Sequence, residues 1–339
     1  MNWHEKRVVV TGGASFIGSH LTEALVGRGA KVRVVDNLSS GRRENLGDLP
    51  AQGAVELVVA DLLEPKNAAA AVRDAEVVFH LAADHGGRGY IETHQSNCST
   101  NMILDGNVFR AAAEARVEKV IFTSTACTYP EHLMADPGEV LFLTEDLVGP
   151  PYCPDSLYGW AKLMGEMTLR AYCREGRLRG AALRYFPVYG PRCPETHAII
   201  AWIARAFVDE DPFEVWGTGE QIRNWTYVTD MADATILAAE KIDDGRAVNA
   251  GVMERTRVID AVRMVLSMMG KNPRITFDPS KPTGPYNRSC DNRLARELLG
   301  WQETVSLEEG LRRTIEWYEQ TYTRDEVASS LEHRLLERT

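Results

Sequence analysis

The sequence predicts an α/β protein, a doubly wound parallel sheet followed by a smaller C-terminal α/β lobe. Three observations carry this. Short β-branched and apolar runs at 8–10, 32–35, 55–59, 77–81, 120–123 and 181–185 alternate with helix-length segments, the rhythm that builds a parallel sheet with helices on both faces. The first run leads directly into Thr11-Gly12-Gly13-Ala14-Ser15-Phe16-Ile17-Gly18, a Gly-rich turn that opens a helix. After Tyr189-Gly190-Pro191 the alternation breaks, and helices dominate.

Val8-Val9-Val10 reads as a buried strand, and the segment from Ser19 to Gly29 as a helix stopped by glycine. The second strand closes on Asp36, and the third is followed by Asp61-Leu62. The fourth runs into Leu81-Ala82-Ala83. Long helices are expected over about 91–115 and 154–175, with the fifth strand between them and the sixth after. Further on come a helix at 198–208, a strand-like segment at 213–216, a strand at 224–229 and helices at 231–241, 258–269, 292–299 and 307–318. Residues 1–188 therefore form a Rossmann-like dinucleotide domain, to which part of about 228–253 returns. Residues 189–320 are mainly a substrate lobe over the C-terminal strand edges, where ligands of open sheets bind. Residues 321–339 are a charged, helix-prone tail, expected to be partly disordered.

The composition excludes several classes. In 339 residues, 44% hydrophobic and 25% charged, the formal net charge is −10. That sign argues against nonspecific nucleic-acid binding. No apolar run reaches the roughly 18 residues of a membrane span. MNWHEKR runs straight into a strand, without the apolar core of a signal peptide. Six scattered cysteines include no Cys-x-x-Cys pair. Reduced thiols in a cytoplasm are expected, and neither a metal site nor a disulfide framework.

The Gly-rich turn has the context of a dinucleotide site. Gly12 makes the tight turn, Gly18 packs the helix on the strand, and the helix N-terminus holds a pyrophosphate. Ser15 stands where many such turns have a middle glycine. Asp36 lies 18 residues past Gly18, at the end of the second strand. A carboxylate there accepts from both ribose hydroxyls and repels a 2′-phosphate, so NAD is expected.

Tyr158 and Lys162 share one helix face at i, i+4. An ammonium there favours the phenolate, which makes the tyrosine a base. The Thr125 hydroxyl is placed to hydrogen-bond the same substrate oxygen. Cys127 follows two residues later, in Ser124-Thr125-Ala126-Cys127-Thr128-Tyr129-Pro130.

These residues resemble the extended short-chain dehydrogenase/reductases that act on sugar nucleotides, over about 6–318. The resemblance rests on the Gly-rich turn, Val35 to Gly41, Asp61-Leu62, His80-Leu81-Ala82-Ala83, Tyr158 with Lys162, Arg184-Tyr185-Phe186 and Tyr189-Gly190-Pro191. It implies NAD held by Gly12, Ser15, Phe16, Ile17, Gly18, Asp36, Asn37, Asp61, Leu62, Leu81, Ala82, Ala83, Tyr158 and Lys162. It implies a nucleoside-diphosphate sugar as substrate, with Arg223 and Arg288 on the diphosphate. A guanidinium fork donates to two phosphate oxygens. It also implies a homodimer through the two long helices, where Met102, Ile103, Val108 and Phe109 serve core or interface.

Within this family the chain is most similar to the GDP-mannose 3,5-epimerases, through Ala83 to Ile91, Ser124 to Glu131 and Phe213 to Gly219. In those enzymes NAD transiently oxidises C4, and a Cys and a Lys then exchange protons at C3 and C5. Cys127 matches the Cys; a thiol with an ordinary pKa of about 8.5 needs only a modest downward shift to act as base. The Lys position aligns with His197, a proton donor suited to neutral pH. Where the family commonly has Asn, this chain has Pro187. Arg88, beside Gly87 in the glycine loop near the sugar, is the compensating donor. The reading is an NAD-dependent sugar-nucleotide epimerase acting beside C4. A 4-epimerase using only Tyr158 and Thr125 is the alternative. A 4,6-dehydratase, a uronate decarboxylase and a noncatalytic NAD-binding scaffold stand behind it.

Overall fold

A computed structural model describes residues 1–136 and 140–336. Among them, seven strands form one parallel sheet. These are β1 (Arg7–Thr11), β2 (Lys31–Asp36), β3 (Val55–Val59), β4 (Val77–His80), β5 (Lys119–Thr125), β6 (Gly180–Tyr185) and β7 (Asp244–Ala250). Their order is β3-β2-β1-β4-β5-β6-β7. The order reverses between β1 and β4, which pair with Val8 opposite Val77 and Thr11 opposite His80. That reversal opens a crevice at the carboxyl ends of the two strands.

The period of two sorts the valines of β1. Val8 and Val10 face a layer built by α1 (Phe16–Gly27), α8 (Val228–Lys241) and α10 (Arg293–Leu299). Val9 faces the opposite layer, built by α2 (Pro65–Ala71), α5 (Asn101–Glu114) and α6 (Ser156–Arg174). Val108 and Phe109 of α5 are core residues of that layer, whereas Met102 and Ile103 are exposed.

The helix expected over 91–115 is three pieces, α3 (Arg88–Thr93), α4 (Gln95–Ser99) and α5. The break falls at His94, with φ −119° and ψ 42°. Thr93 Oγ1 donates to the Gly89 carbonyl at 2.9 Å, and Ser99 and Thr100 do the same to Ser96 and Asn97. Such local hydroxyl bonds compete with a continuous ladder. The strand expected over 224–229 shortens to Thr226–Tyr227, because its partner Val188–Tyr189 offers only two residues and α8 starts at Val228.

A second core belongs to α7 (Ala198–Phe207), α9 (Val258–Met268) and α11 (Leu307–Thr321), with Phe213 and Val215 from the strand Phe213–Trp216. The segment expected as a tail forms α12 (Arg324–Leu336), whose Val327 is fully buried in this core; 337–339 lie outside the described residues.

Candidate active site

One cavity of about 820 Å³ follows the crevice. Every residue expected to touch cofactor or substrate lines it except Gly18. Gly12 has φ +69°, and an added Cβ would stand 2.8 Å from the Ala82 nitrogen. The backbone after β1 and the backbone after β4 therefore touch across the crevice, and only glycine fits. Gly18 packs the helix on the turn: an added Cβ would lie 2.1 Å from the Gly12 carbonyl oxygen. Ser15 turns its hydroxyl back onto that carbonyl, at 2.5 Å, so its side chain closes the turn. Asp36 accepts from the Ala14 N–H at 3.0 Å and the Leu38 N–H at 2.9 Å. Its carboxylate thus braces the turn as well as facing the cavity, beside Phe16, Ile17, Asn37, Asp61 and Leu62.

The reacting groups come from the end of β5 and the start of α6. Thr125 Oγ1 accepts from the Cys127 N–H at 3.2 Å and so caps the tight turn Ala126–Thr128. The Asp155 N–H donates to the Cys127 carbonyl at 2.9 Å. An added Cβ on Gly159 would meet that carbonyl oxygen at 2.2 Å, so α6 begins pressed against the Cys127 turn. Tyr158 and Cys127 share a buried cluster with Tyr90, Ile91 and Cys98.

The sequence argument has Lys162 lowering the Tyr158 phenol. Instead, burial pushes Tyr158 well above its ordinary value, and Cys127, Asp105 and Cys98 act the same way. A hydrogen bond with Thr125 opposes them. Burial likewise lowers the Lys162 ammonium, against the pull of Asp105. Asp105 is a carboxylate that the sequence did not single out. Asp105 Oδ1 lies 3.7 Å from Lys162 Nζ and 3.0 Å from His80 Nε2. Lys162 Nζ also stands 4.5 Å over the Phe122 ring and has no hydrogen-bond partner among the described residues.

Three guanidinium groups, of Arg88, Arg223 and Arg288, gather in the cavity near Cys127 and Asp155. Arg88 and Arg288 both donate to Asp155 Oδ2, at 2.7 and 2.8 Å. Burial alone would raise the Asp155 carboxyl; Arg288 and Arg88 outweigh it and hold it below its ordinary value. Arg288 Nη1 also donates to Cys127 Sγ at 3.6 Å. Arg88 pairs with Glu92 as well, and its Nε and that of Arg288 are buried without partners among the described residues. Arg223 donates to the carbonyls of Ile222 and Thr283, each at 2.7 Å. Burial, with Arg288 and Arg88 nearby, pushes it down to about 9. Two carboxylates, Asp155 and Glu92, face three guanidinium groups, so this cluster carries surplus positive charge in an acidic protein.

His197, at the N-cap of α7, is half-buried and lines the cavity. Burial lowers it to about 4, so it is neutral at neutral pH. Sequence reasoning missed Asp105, Asp155 and His85. The only signals were an acid inside an apolar helix stretch, a helix-capping aspartate and a histidine in a glycine loop.

Residues 8–251 match the NAD dependent epimerase/dehydratase family. The chain belongs to that family. A UDP-N-acetyl-alpha-D-glucosaminuronate decarboxylase of Bacillus cytotoxicus is 31% identical, over 93% of this chain and 98% of its own. A GDP-mannose 3,5-epimerase of Arabidopsis thaliana is 29% identical, over 96% and 85%. The UDP-glucuronic acid 4-epimerase of Bacillus cereus, solved in complex with UDP-glucuronic acid and NAD, superposes with a TM-score of 0.82. It is 29% identical, over 93% of this chain and 100% of that one.

The cofactor of this epimerase/dehydratase family member is NAD, and the residues present fit it. Gly12 puts bare backbone at the crevice, and Lys162 Nζ is a buried donor without a hydrogen-bond partner among the described residues. Among the described residues no helix is long and apolar enough to cross a membrane, and no group of three or more His, Cys, Asp or Glu is set to hold a metal.

Proposed function

We propose that the protein is a sugar-nucleotide epimerase that inverts a carbon beside a transiently oxidised C4, in the manner of a GDP-mannose 3,5-epimerase. The observation that carries this is Cys127: a thiol two residues past Thr125, hydrogen-bonded by Arg288 and packed with Tyr158. Bound NAD supplies a reversible hydride acceptor at C4. Tyr158 takes the C4 hydroxyl proton and returns it, with Thr125 holding the same oxygen. The C4 carbonyl acidifies the neighbouring C–H bonds, and Cys127 removes a proton from one face. His197 delivers a proton from the other. Arg223 and Arg288 hold the diphosphate through charge-assisted bonds, and Gly87 and Arg88 border the sugar. On this reading 1–188 with about 228–253 is the cofactor half, and 189–320 is mainly the substrate half.

Turnover of GDP-mannose in heavy water tests this. Deuterium appears at C3 or C5 of recovered sugar if the reading holds. A 4-epimerase returns its hydride internally and incorporates none, and that result sinks the proposal. A second reading, decarboxylation of a UDP-uronate, draws on the B. cytotoxicus relative. It is separated by carbon dioxide release from UDP-glucuronate.

A homodimer through α5 and α6 fits the exposed Met102, Ile103, Trp160, Met164 and Met167. Six cysteines outside any disulfide among the described residues fit a reducing cytoplasm.

A further inference from the structure

The loop after β4 carries His85, which no step above uses. Its ring centroid lies 5.0 Å from that of Tyr158 and 5.5 Å from that of His197. The imidazole therefore stands between the tyrosine that faces C4 and the histidine on the far loop, in the same cavity.

This juxtaposition is built. Asp84 is fixed on both sides of its backbone by fully buried Asn101, at 2.7 and 2.9 Å. The Tyr90 hydroxyl donates to the Asp84 carboxylate at 2.9 Å. One residue past Gly86, an added Cβ on Gly87 would lie 1.7 Å from the Thr196 carbonyl oxygen. The two loops thus cross backbone to backbone, and the crossing sets His85 beside His197. On the far side, buried Glu195 accepts from the Tyr318 hydroxyl at 3.0 Å and from Arg334 at 2.7 Å. His85 directly follows anchored Asp84, and His197 lies two residues past anchored Glu195.

The geometry points to His85 and His197 working as one proton-carrying pair, with His85 supplying and draining the proton that His197 exchanges with the sugar carbon. This rests on the epimerase reading above. A neutral imidazole that accepts a proton at one ring nitrogen must lose one from the other before it can act again. His85 is the neighbouring group able to take it. Once Cys127 has taken the carbon proton and left the enolate, His197 gives its ring N–H proton to the opposite face, the enolate electron pair forms the new C–H bond, and His85 supplies a replacement proton at the second His197 nitrogen. In the return direction the carbon-bound proton passes to His197, the proton on its second nitrogen passes to His85, and the electron pair stays in the enolate. No other reactant is consumed.

The test uses full-length, NAD-loaded protein with GDP-mannose, comparing native enzyme with His85→Asn and His85→Gln. Two rates are read: reduced cofactor formation in a single turnover and deuterium uptake from heavy water. A positioned acid or base contributes roughly 10²–10⁴-fold. The expected result is that both variants slow deuterium uptake at least about tenfold more than they slow cofactor reduction, and that added imidazole restores part of the uptake. Equal slowing of both steps, a raised KM with uptake otherwise unchanged, or no rescue by imidazole in either variant overturns the pair and leaves His85 as a packing or sugar-stacking residue. Native enzyme that reduces its cofactor yet takes up no deuterium is a different outcome, which overturns the epimerase reading and the pair with it.

Discussion

Lys162 Nζ stands 3.7 Å from Asp105 Oδ1, and neither side chain is more than 2% exposed. The pair continues through His80, whose Nδ1 lies 2.7 Å from Thr11 Oγ1. That hydroxyl in turn accepts from the Leu81 and Ala82 N–H groups, at 3.2 and 3.1 Å. The helix that carries the reacting tyrosine is thereby wired to the backbone of the cofactor crevice.

Removing Asp105 alone leaves a buried ammonium without a counter-charge. Breaking one partner of such a pair costs about 3–5 kcal/mol. Asp105→Asn is expected to lose stability of that order in urea unfolding, while Asp105→Asn combined with Lys162→Met loses less than the single change. A double variant less stable than Asp105→Asn would show that the pair is not the source of the loss.

Gly87 and Gly106 make a paired experiment. Alanine at 87 would drive Cβ into the Thr196 carbonyl oxygen, whereas at 106, inside α5, nothing lies within 4 Å. Gly106→Ala is expected to stabilise by roughly 0.5–1 kcal/mol through helix propensity. Gly87→Ala is expected to displace the His197 loop, with activity lost more steeply than melting temperature. Equal behaviour of the two variants in thermal melts and turnover would contradict the crossing.

Acid should destabilise the fold through its buried histidines. His197 and His20 are both held neutral at about 4, burial being the main cause in each. Unfolding returns them to about 6.5, so between those values the unfolded chain binds more protons. Stability therefore falls as pH drops from about 6.5 to about 4 and has no slope from these groups outside that window. His197→Gln is expected to remove on the order of 1–3 kcal/mol of that fall, read as the difference between native and variant denaturation midpoints across pH. Parallel curves would mean that His197 is not buried neutral.

Much of the scaffold was legible because its signals are local. The six short apolar runs, the Gly-rich turn and the acid at Asp36 each announce themselves within a few residues. What escaped depends on partners distant in sequence. Asp105 is meaningful only beside Lys162 and His80, and His85 only beside Tyr158 and His197. The break at His94 arises from hydroxyls that compete with the helix ladder one turn at a time. The segment after Thr321 looks like a tail by charge, yet Val327 and Leu331 form a narrow apolar stripe that docks on the lobe. The gathering of Thr125, Cys127 and Tyr158 in one cavity was readable from motif; the arginine clamp on Asp155 was not, since Arg88 and Arg288 meet only in space.

The tie between Glu195 and Arg334 spans 139 positions of chain. During synthesis the sheet has all its strands once Ala250 has emerged from the ribosome. At that stage Glu195 still lacks its cationic partner. The layer over β1 is likewise completed only by α10, and the anchor beside His197 by α11 and α12, through Tyr318 and Arg334. The stretch that carries His197 is thus pinned by the parts of the chain made last.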